Sequence, residues 1–177
     1  NTQGQGNFVG SFEPGDRILV AYYSGFFDLR SFDLQKKFDA DIAFMKKFNP
    51  DDIITIIHYD HDKKAHFAKR FQIEPQTQSD RKVLIINEGE QNKLMAFTVS
   101  KNPVAQVTLG TKTKKGDRVH LPLAEFTELL TIKAQGKKIT DEKIAEVSFI
   151  DDDEQAHSVI EENEQNSIIK KQMELKL

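Results

Sequence analysis

The stretch that most constrains the fold of this chain is an apolar run near its start. Residues 18–23 read ILVAYY with no charged interruption, and Ser24-Gly25 ends the run. A short apolar run bounded by a turn signal is typical of a strand that is buried on both faces, so we predict a central strand here. Ligands of open α/β sheets collect beyond the carboxyl ends of such strands. The candidate binding residues at this place are Ser24, Gly25, Phe26, Phe27, Asp28 and Arg30.

The next segments predict a strand between two helices. Residues 31–48 place apolar side chains three and four positions apart, which indicates an amphipathic helix lying on a sheet. Residues 53–59, IITIIHY, are β-branched and mostly apolar, and they predict a second strand. A right-handed parallel crossover is the expected connection between the two strands. A short helix capped by Asp60 or Asp62 is then predicted to end near Gln72.

Hairpins dominate the prediction for the second half of the chain. Residues 82–87 and 93–100 are two apolar runs that a short polar loop separates, so we expect an antiparallel hairpin. A second hairpin is predicted for residues 104–109 and 118–121 around Lys114-Lys115-Gly116-Asp117. Pro122 can begin a helix that ends at Gly136, and residues 139–150 can add one further short element.

This pattern divides the chain into three parts. Residues 1–16 form a lead-in segment, residues 17–136 form the folded domain, and residues 137–177 form an acidic, helical C-terminal extension. From residue 151 onwards apolar side chains are sparse, so the tail is expected to be a helix of little independent stability. We therefore predict that it contributes to partner contacts, including self-association, more than to the core.

Composition narrows the function classes. The chain has 25 Lys and Arg against 28 Asp and Glu, and this nearly balanced net charge of -3 argues against a nucleic-acid partner. Apolar runs are far shorter than the ~20 residues of a membrane span. Cysteine is absent, which excludes disulfides and thiolate catalysis in this chain. The polar opening NTQGQGNF, which begins with Asn1, favours an exported, periplasmic or extracellular protein.

The order of these predicted elements over residues 17–131 resembles the thioredoxin fold. ILVAYYSGFFDLRSF is similar to the strand and loop that carry the redox motif of that family, and HYDHDKKAHFAKRFQI followed by KVLIINEGEQ is similar to its second crossover and hairpin. The resemblance implies an α/β three-layer sandwich with a mixed central sheet, here with an extra hairpin and a helical tail. Phe27-Asp28-Leu29-Arg30 stands where the family has its two cysteines, so a cysteine-less branch without redox activity is implied.

RILVAYYSG also resembles the first strand of flavodoxins, which implies a flavin-binding alternative. A flavin phosphate needs a loop of small residues whose backbone N–H groups point at the anion. Phe26-Phe27-Asp28-Leu29 offers bulky and acidic side chains at that position instead.

A histidine-rich segment is the candidate metal site. His58, Asp60, His61 and His66 lie close together in sequence at the end of the second predicted strand. Imidazole and carboxylate groups are ligands for zinc and other divalent ions. Strand alternation sends His58 and Asp60 to one face and His61 to the other, so a full ligand set requires a turn at Asp60. The alternative is that His58 is partly covered on its strand, Asp60 or Asp62 caps the following helix, and His61 and His66 lie in solvent.

One further cluster is basic. Lys112, Lys114, Lys115, Lys137 and Lys138 surround a predicted hairpin turn and a helix end, where a solvated surface is the simplest interpretation.

Together these patterns predict a non-catalytic, thioredoxin-like accessory module without a cofactor that binds another protein or a peptide. A metal protein or enzyme using the histidine cluster is the alternative. The predicted core residues are Leu19, Val20, Ile54, Ile56, Leu84 and Ile86.

Overall fold

The structure is a computed structural model that describes residues 13–31 and 40–150. This part of the chain forms eleven strands and one helix of four residues. The first six strands are β1 (Arg17–Tyr22), β2 (Phe26–Ser31), β3 (Ile42–Lys47), β4 (Ile54–Asp60), β5 (Ala65–Phe71) and β6 (Val83–Leu84). The remaining elements are β7 (Lys93–Thr98), β8 (Val104–Gly110), β9 (Lys115–Pro122), α1 (Leu123–Phe126), β10 (Lys137–Lys138) and β11 (Ile144–Ile150).

The strands form three antiparallel sheets, each built around a hairpin of consecutive strands. The first sheet has the order β3-β1-β2-β6, the second β10-β5-β4-β7 and the third β11-β8-β9. In every sheet the first strand of the hairpin also pairs with a strand that follows later in the chain, namely β3, β7 or β11. The three sheets therefore repeat one pattern of strand pairing.

Two very short strands connect consecutive sheets. β6 follows the β4–β5 hairpin but returns to pair with β2 of the first sheet, where Val83 lies opposite Phe27. β10 follows the β8–β9 hairpin and returns in the same way to β5 of the second sheet, where Lys138 lies opposite Phe67. The second and third hairpins are thus each followed by a segment that completes the sheet before it.

The main core lies between the first and second sheets. Leu19 and Leu29 of the first sheet pack with Ile54 and Ile56 of the second, and all four side chains are buried. A second core lies between the second and third sheets, where Ile57 belongs to the same buried cluster as Ala105 and Val107. Five of the six predicted core residues are buried, and Leu84 is half-buried.

The prediction of an α/β, thioredoxin-like sandwich is wrong. The sheets are antiparallel throughout, and α1 is the one α-helix in the described ranges. Because β1 and β2 form a tight hairpin, no crossover helix separates the first two strands. The predicted helical tail at residues 151–177 lies outside the described residues.

Two predicted helices contain strands instead. The helix proposed for residues 31–48 covers β3, whose six residues are all half-buried. The helix proposed to end near Gln72 covers β5, whose central cations Lys69 and Arg70 are buried. Ala65, Phe67, Lys69 and Phe71 alternate along β5, so the strand period is present but a lysine interrupts its apolar row. The third predicted helix shortens to α1, because Thr127 adopts an extended conformation.

Strand predictions were more successful than helix predictions. β1, β4 and β7 lie where apolar runs predicted strands, and the β8–β9 hairpin is confirmed. The hairpin predicted for residues 82–87 and 93–100 is wrong, because β6 pairs with β2 whereas β7 pairs with β4. Beyond the predicted domain boundary at residue 136, β10 and β11 join the second and third sheets. In the described ranges no helix is long and apolar enough to cross a membrane.

Candidate functional site

A cleft of about 730 Å³ opens between the second and third sheets. Its walls come from the β4–β5 turn, the start of β7, the β8–β9 turn and the start of β11. Four lysines line it, together with two histidines and three glutamates. The lysines are Lys64, Lys93, Lys112 and Lys143. Cationic side chains from four separate elements therefore converge on one concave surface.

The β4–β5 turn contains two adjacent lysines, Lys63 and Lys64, of which Lys64 lines the cleft. Lys64 has a positive φ of 51°, and its backbone N–H donates to the carbonyl of His61 at 3.2 Å. A left-handed residue at this point allows the two strands to reverse within a few residues. Asp60 accepts a hydrogen bond from the backbone N–H of Lys63 at 3.1 Å and fixes the turn from inside.

The β8–β9 turn forms the opposite wall, and its residues 111–115 are exposed. The backbone N–H of Thr111 donates to the carbonyl of Lys114 at 3.0 Å, and the N–H of Lys114 donates to Thr111 Oγ1 at 3.0 Å. Gly110 makes this closure possible, because its φ is +100° and an added Cβ would lie 2.4 Å from the carbonyl oxygen of Lys114. The tight turn holds Lys112 and Lys114 outward.

Carboxylates reduce the positive charge of the cleft only in part. Lys115 Nζ lies 2.6 Å from Glu146 Oε1, so this glutamate is already paired. The same hydrogen bond lowers the pKa of Glu146, and the positive charges of Arg118 and Lys112 lower it further. Glu90 and Glu142 are the other two acidic residues lining the cleft. Four lining lysines thus face three lining glutamates, so the lysines outnumber the carboxylates by one.

The binding loop predicted after the first strand has a different structure. Ser24 and Gly25 form the tight β1–β2 turn, in which Gly25 has a φ of +95°. Phe26 is half-buried, Phe27 and Asp28 are buried, and Arg30 is half-buried on β2. A binding role for these residues stays a prediction.

Asp28 and Arg30 instead form a buried polar cluster with Tyr22. The hydroxyl of Tyr22 donates to Asp28 Oδ2 at 3.0 Å and accepts from Arg30 Nη2 at 3.0 Å. Burial and the neighbouring carboxylate raise the pKa of Tyr22 to about 12, which keeps the phenol protonated. Asp28 Oδ1 is buried and has no hydrogen-bond partner in the described part of the chain. This cluster joins the two strands of the first hairpin on one face of the sheet.

The histidine segment does not assemble into a metal site. His58 is buried on β4, and its Nε2–H donates to the carbonyl of Gln135 at 2.8 Å. Burial lowers the pKa of His58 to about 4, so the ring is neutral near pH 7. Asp60 accepts from Asn87 at 2.7 Å and from Gln135 at 3.2 Å, whereas His61 is exposed and His66 lies half-buried on β5. Over residues 13–31 and 40–150, no group of three or more His, Asp and Glu side chains can hold a metal ion.

Sequence reasoning detected one wall of the cleft and missed the other. Lys112, Lys114 and Lys115 were recognised as a basic patch, but the overall balance of charge led to an interpretation as a solvated surface. That balance conceals an asymmetry, because residues 1–150 carry 22 Lys and Arg against 20 Asp and Glu, whereas residues 151–177 carry 3 against 8. The Lys114-Lys115 pair in the predicted hairpin turn was the available signal, whereas Lys63-Lys64 fell within a predicted helix.

A family model described as "Topoisomerase C-terminal domain, Bacteroidota" matches residues 1–151. No curated protein matches the chain. The family match and the all-β fold both overturn the thioredoxin-like assignment. It also shows that exclusion of nucleic acid was wrong, because topoisomerases act on DNA, and that export was wrong, because this DNA lies inside the cell. An accessory role is confirmed at the level of the family, since the match is to a C-terminal domain.

The match covers well over half of the chain. The regular structure of its described residues is almost entirely β-strand and is not the helix-containing fold predicted from sequence. The chain belongs to the Bacteroidota family of topoisomerase C-terminal domains.

Proposed function

We propose that this chain is a DNA-binding accessory domain that holds duplex DNA by its phosphate backbone along the cleft between the second and third sheets. The observation that carries the proposal is the convergence of Lys64, Lys93, Lys112 and Lys143 on that cleft. Membership of a topoisomerase family supplies the class of partner.

The chemistry of the cleft favours phosphate contacts over base recognition. Lysine is a point charge on a flexible stem, so it suits phosphates more than the planar, bidentate reading of base edges. Arg118 is the one arginine near the β8–β9 turn among the described residues, and it lies close enough to Glu146 to lower the pKa of that carboxyl. We therefore expect binding that depends strongly on salt and weakly on sequence.

The two lysine-bearing turns are the expected first points of contact. The β4–β5 turn and the β8–β9 turn both line the cleft, and their lysines are exposed. Both turns are fixed by backbone hydrogen bonds, at 3.2 Å in the first and 3.0 Å in the second. Fixed turns hold cations in place before binding, so less conformational freedom is lost when DNA binds.

The test is the salt dependence of duplex DNA binding, measured by fluorescence anisotropy. A Lys64→Gln/Lys112→Gln/Lys143→Gln variant should bind more weakly, and the slope of log K against log salt should fall by about 2 to 3, since each phosphate contact contributes ~0.9. The control is Arg81→Gln/Lys101→Gln/Lys133→Gln, which removes the same charge at exposed residues that do not line the cleft.

Two results would contradict the proposal. One is a control variant that loses as much affinity as the cleft variant, which would show that only net charge matters. The other is a wild-type chain that fails to bind duplex DNA at concentrations of ~0.1 mM, the weak limit of ordinary non-specific binding.

A further inference from the structure

A row of three side chains crosses the second sheet at the cleft. Tyr59 of β4 lies opposite His66 of β5 on one side and opposite Lys93 of β7 on the other. All three residues line the cleft. Directly opposed residues of neighbouring strands project from the same face of a sheet, so the three side chains form one continuous strip. An aromatic ring thus stands between an imidazole and an ammonium group on the surface proposed to meet DNA.

Tyr59 lies beyond the core between the second and third sheets. Two residues earlier on the same face of β4, Ile57 is fully buried in that core. Tyr59 is half-buried, and the side chains packed around this core in the described ranges do not include it. The ring of His66 lies 4.9 Å from that of Tyr59, at an angle of 47° between the two planes. The tyrosine ring is therefore supported by the histidine and presented to the cleft.

The lining of the cleft changes from apolar to cationic towards solvent. Its larger apolar side chains are half-buried, whereas its four lysines are exposed. The apolar set is Tyr59, Met95, Ile144 and Val147. A phosphate group gains from the lysines but not from an apolar surface, because its oxygens need charge or hydrogen bonds. A base, in contrast, gains from stacking on an aromatic ring and from contact with apolar side chains.

We propose that an unpaired DNA base enters the cleft and stacks on Tyr59, while the exposed lysines hold the phosphates on either side of that base. This inference rests on the proposed DNA-binding role of the cleft and names the form of DNA that the cleft prefers. In an intact duplex each base is covered by its neighbours, so stacking on a side chain requires an unpaired base. A volume of about 730 Å³ is within the range of pockets for small molecules and is enough for a nucleotide. Stacking tolerates any base, which agrees with binding that depends weakly on sequence.

Fluorescence anisotropy with two labelled DNA probes tests the proposal. One probe is a perfect duplex, and the other has the same ends but a central run of unpaired thymines. The wild-type chain should bind the unpaired probe at least about fivefold more tightly, since one stacked base is worth roughly 5- to 150-fold in affinity. Tyr59→Leu should lose this preference and keep its affinity for the perfect duplex. The control is Tyr23→Leu, which removes an exposed tyrosine outside this cleft and should keep the preference.

Tyrosine fluorescence separates stacking from a structural role of the ring. The chain has three tyrosines and no tryptophan, so quenching of tyrosine emission can be observed directly. Binding of the unpaired probe should quench the emission of the wild-type chain. Tyr59→Phe should keep the preference for the unpaired probe, because a phenyl ring also stacks, but it should lose most of the quenching.

Equal affinity of the wild-type chain for the two probes would overturn the stacking proposal and leave the duplex contact standing. A preference that survives in Tyr59→Leu would also overturn it, as would a loss of affinity for both probes in that variant, since this would show a structural role. Failure of the proposed function gives a different result, in which the wild-type chain binds the unpaired probe but not the perfect duplex. A wild-type chain that binds neither probe would overturn both proposals.

Discussion

The ammonium group of Lys69 donates a hydrogen bond at 2.5 Å to the carbonyl oxygen of Ile132, a residue 63 positions further along the chain. A second bond at 2.5 Å reaches the carbonyl of Ile85. Lys69 is buried at the middle of β5, and it connects that strand to the segments after β6 and after α1. A cation that lies within a predicted helix is thus a central link of the fold.

Burial lowers the pKa of Lys69 to about 8 from an ordinary 10.5. Between these values the folded chain binds fewer protons than the unfolded chain, so the free energy of unfolding should increase as pH rises from 8 to 10.5. The expected gain is on the order of 2 to 3 kcal/mol. Urea denaturation at several pH values measures it. Lys69→Met should remove this increase and should lower stability at pH 7, because two buried carbonyls lose their donor. An unchanged pH profile in Lys69→Met would contradict the assignment.

His58 should make the protein sensitive to acid. Its folded pKa of about 4 lies below the ordinary 6.5, because burial disfavours the charged ring. The unfolded chain binds the proton first, so stability is lost as pH falls from 6.5 towards 4, by up to ~3 kcal/mol. His58→Gln should flatten the pH dependence of the thermal midpoint in this window. His61→Gln, at an exposed position, is the control and should leave the wild-type slope. His66 also has a lowered pKa, so a small residual slope is expected.

Gly136 should tolerate no side chain. Its φ is +95°, and an added Cβ would lie 2.4 Å from the backbone oxygen of Ala68 on β5. Gly15 has a similar φ of +90° with nothing within 4 Å of the added atom, so Gly15→Ala isolates the backbone cost. We expect about 1 to 2 kcal/mol for Gly15→Ala from the left-handed conformation. Gly136→Ala should cost at least ~2 kcal/mol more through the clash. Equal losses in chemical denaturation would show that β10 can move away from β5.

Local sequence patterns predicted those strands whose signal is contained within the strand itself. Ile54–Asp60 begins with four β-branched residues, and Arg17–Tyr22 is an apolar run after its first residue, so both were identified as strands. Ala65–Phe71 was missed because buried Lys69 breaks its apolar alternation, and a lysine is ordinarily a surface residue. The carbonyls of Ile85 and Ile132, which accept hydrogen bonds from Lys69, are brought near this lysine only by the tertiary structure.

The pairing of the returning strands had no comparable signal. Val83–Leu84 lies within the apolar run of residues 82–87 that predicted a strand, but Lys137–Lys138 has only two paired residues, which is too short for a period to be visible. Their partners lie in the preceding sheet, a relationship that neighbouring residues cannot encode. The convergence of the two walls of the candidate cleft could not be predicted from sequence for a similar reason. Lys64, Lys112 and Lys143 are distant in sequence, and only the packing of two sheets brings them to one surface.

The returning strands also impose an order on how the chain acquires structure during synthesis. The first hairpin is complete at Ser31, yet its sheet lacks an edge until Val83-Leu84 has been made. By then the second hairpin has been synthesised, but its own sheet stays incomplete until Lys137-Lys138 has been made. Neither of the first two sheets is finished before the following hairpin exists, and such distant pairings form slowly. The first sheet therefore depends on the second, and the second on the third, both during folding and in the folded structure. A fragment cut between two of these sheets would contain an incomplete sheet.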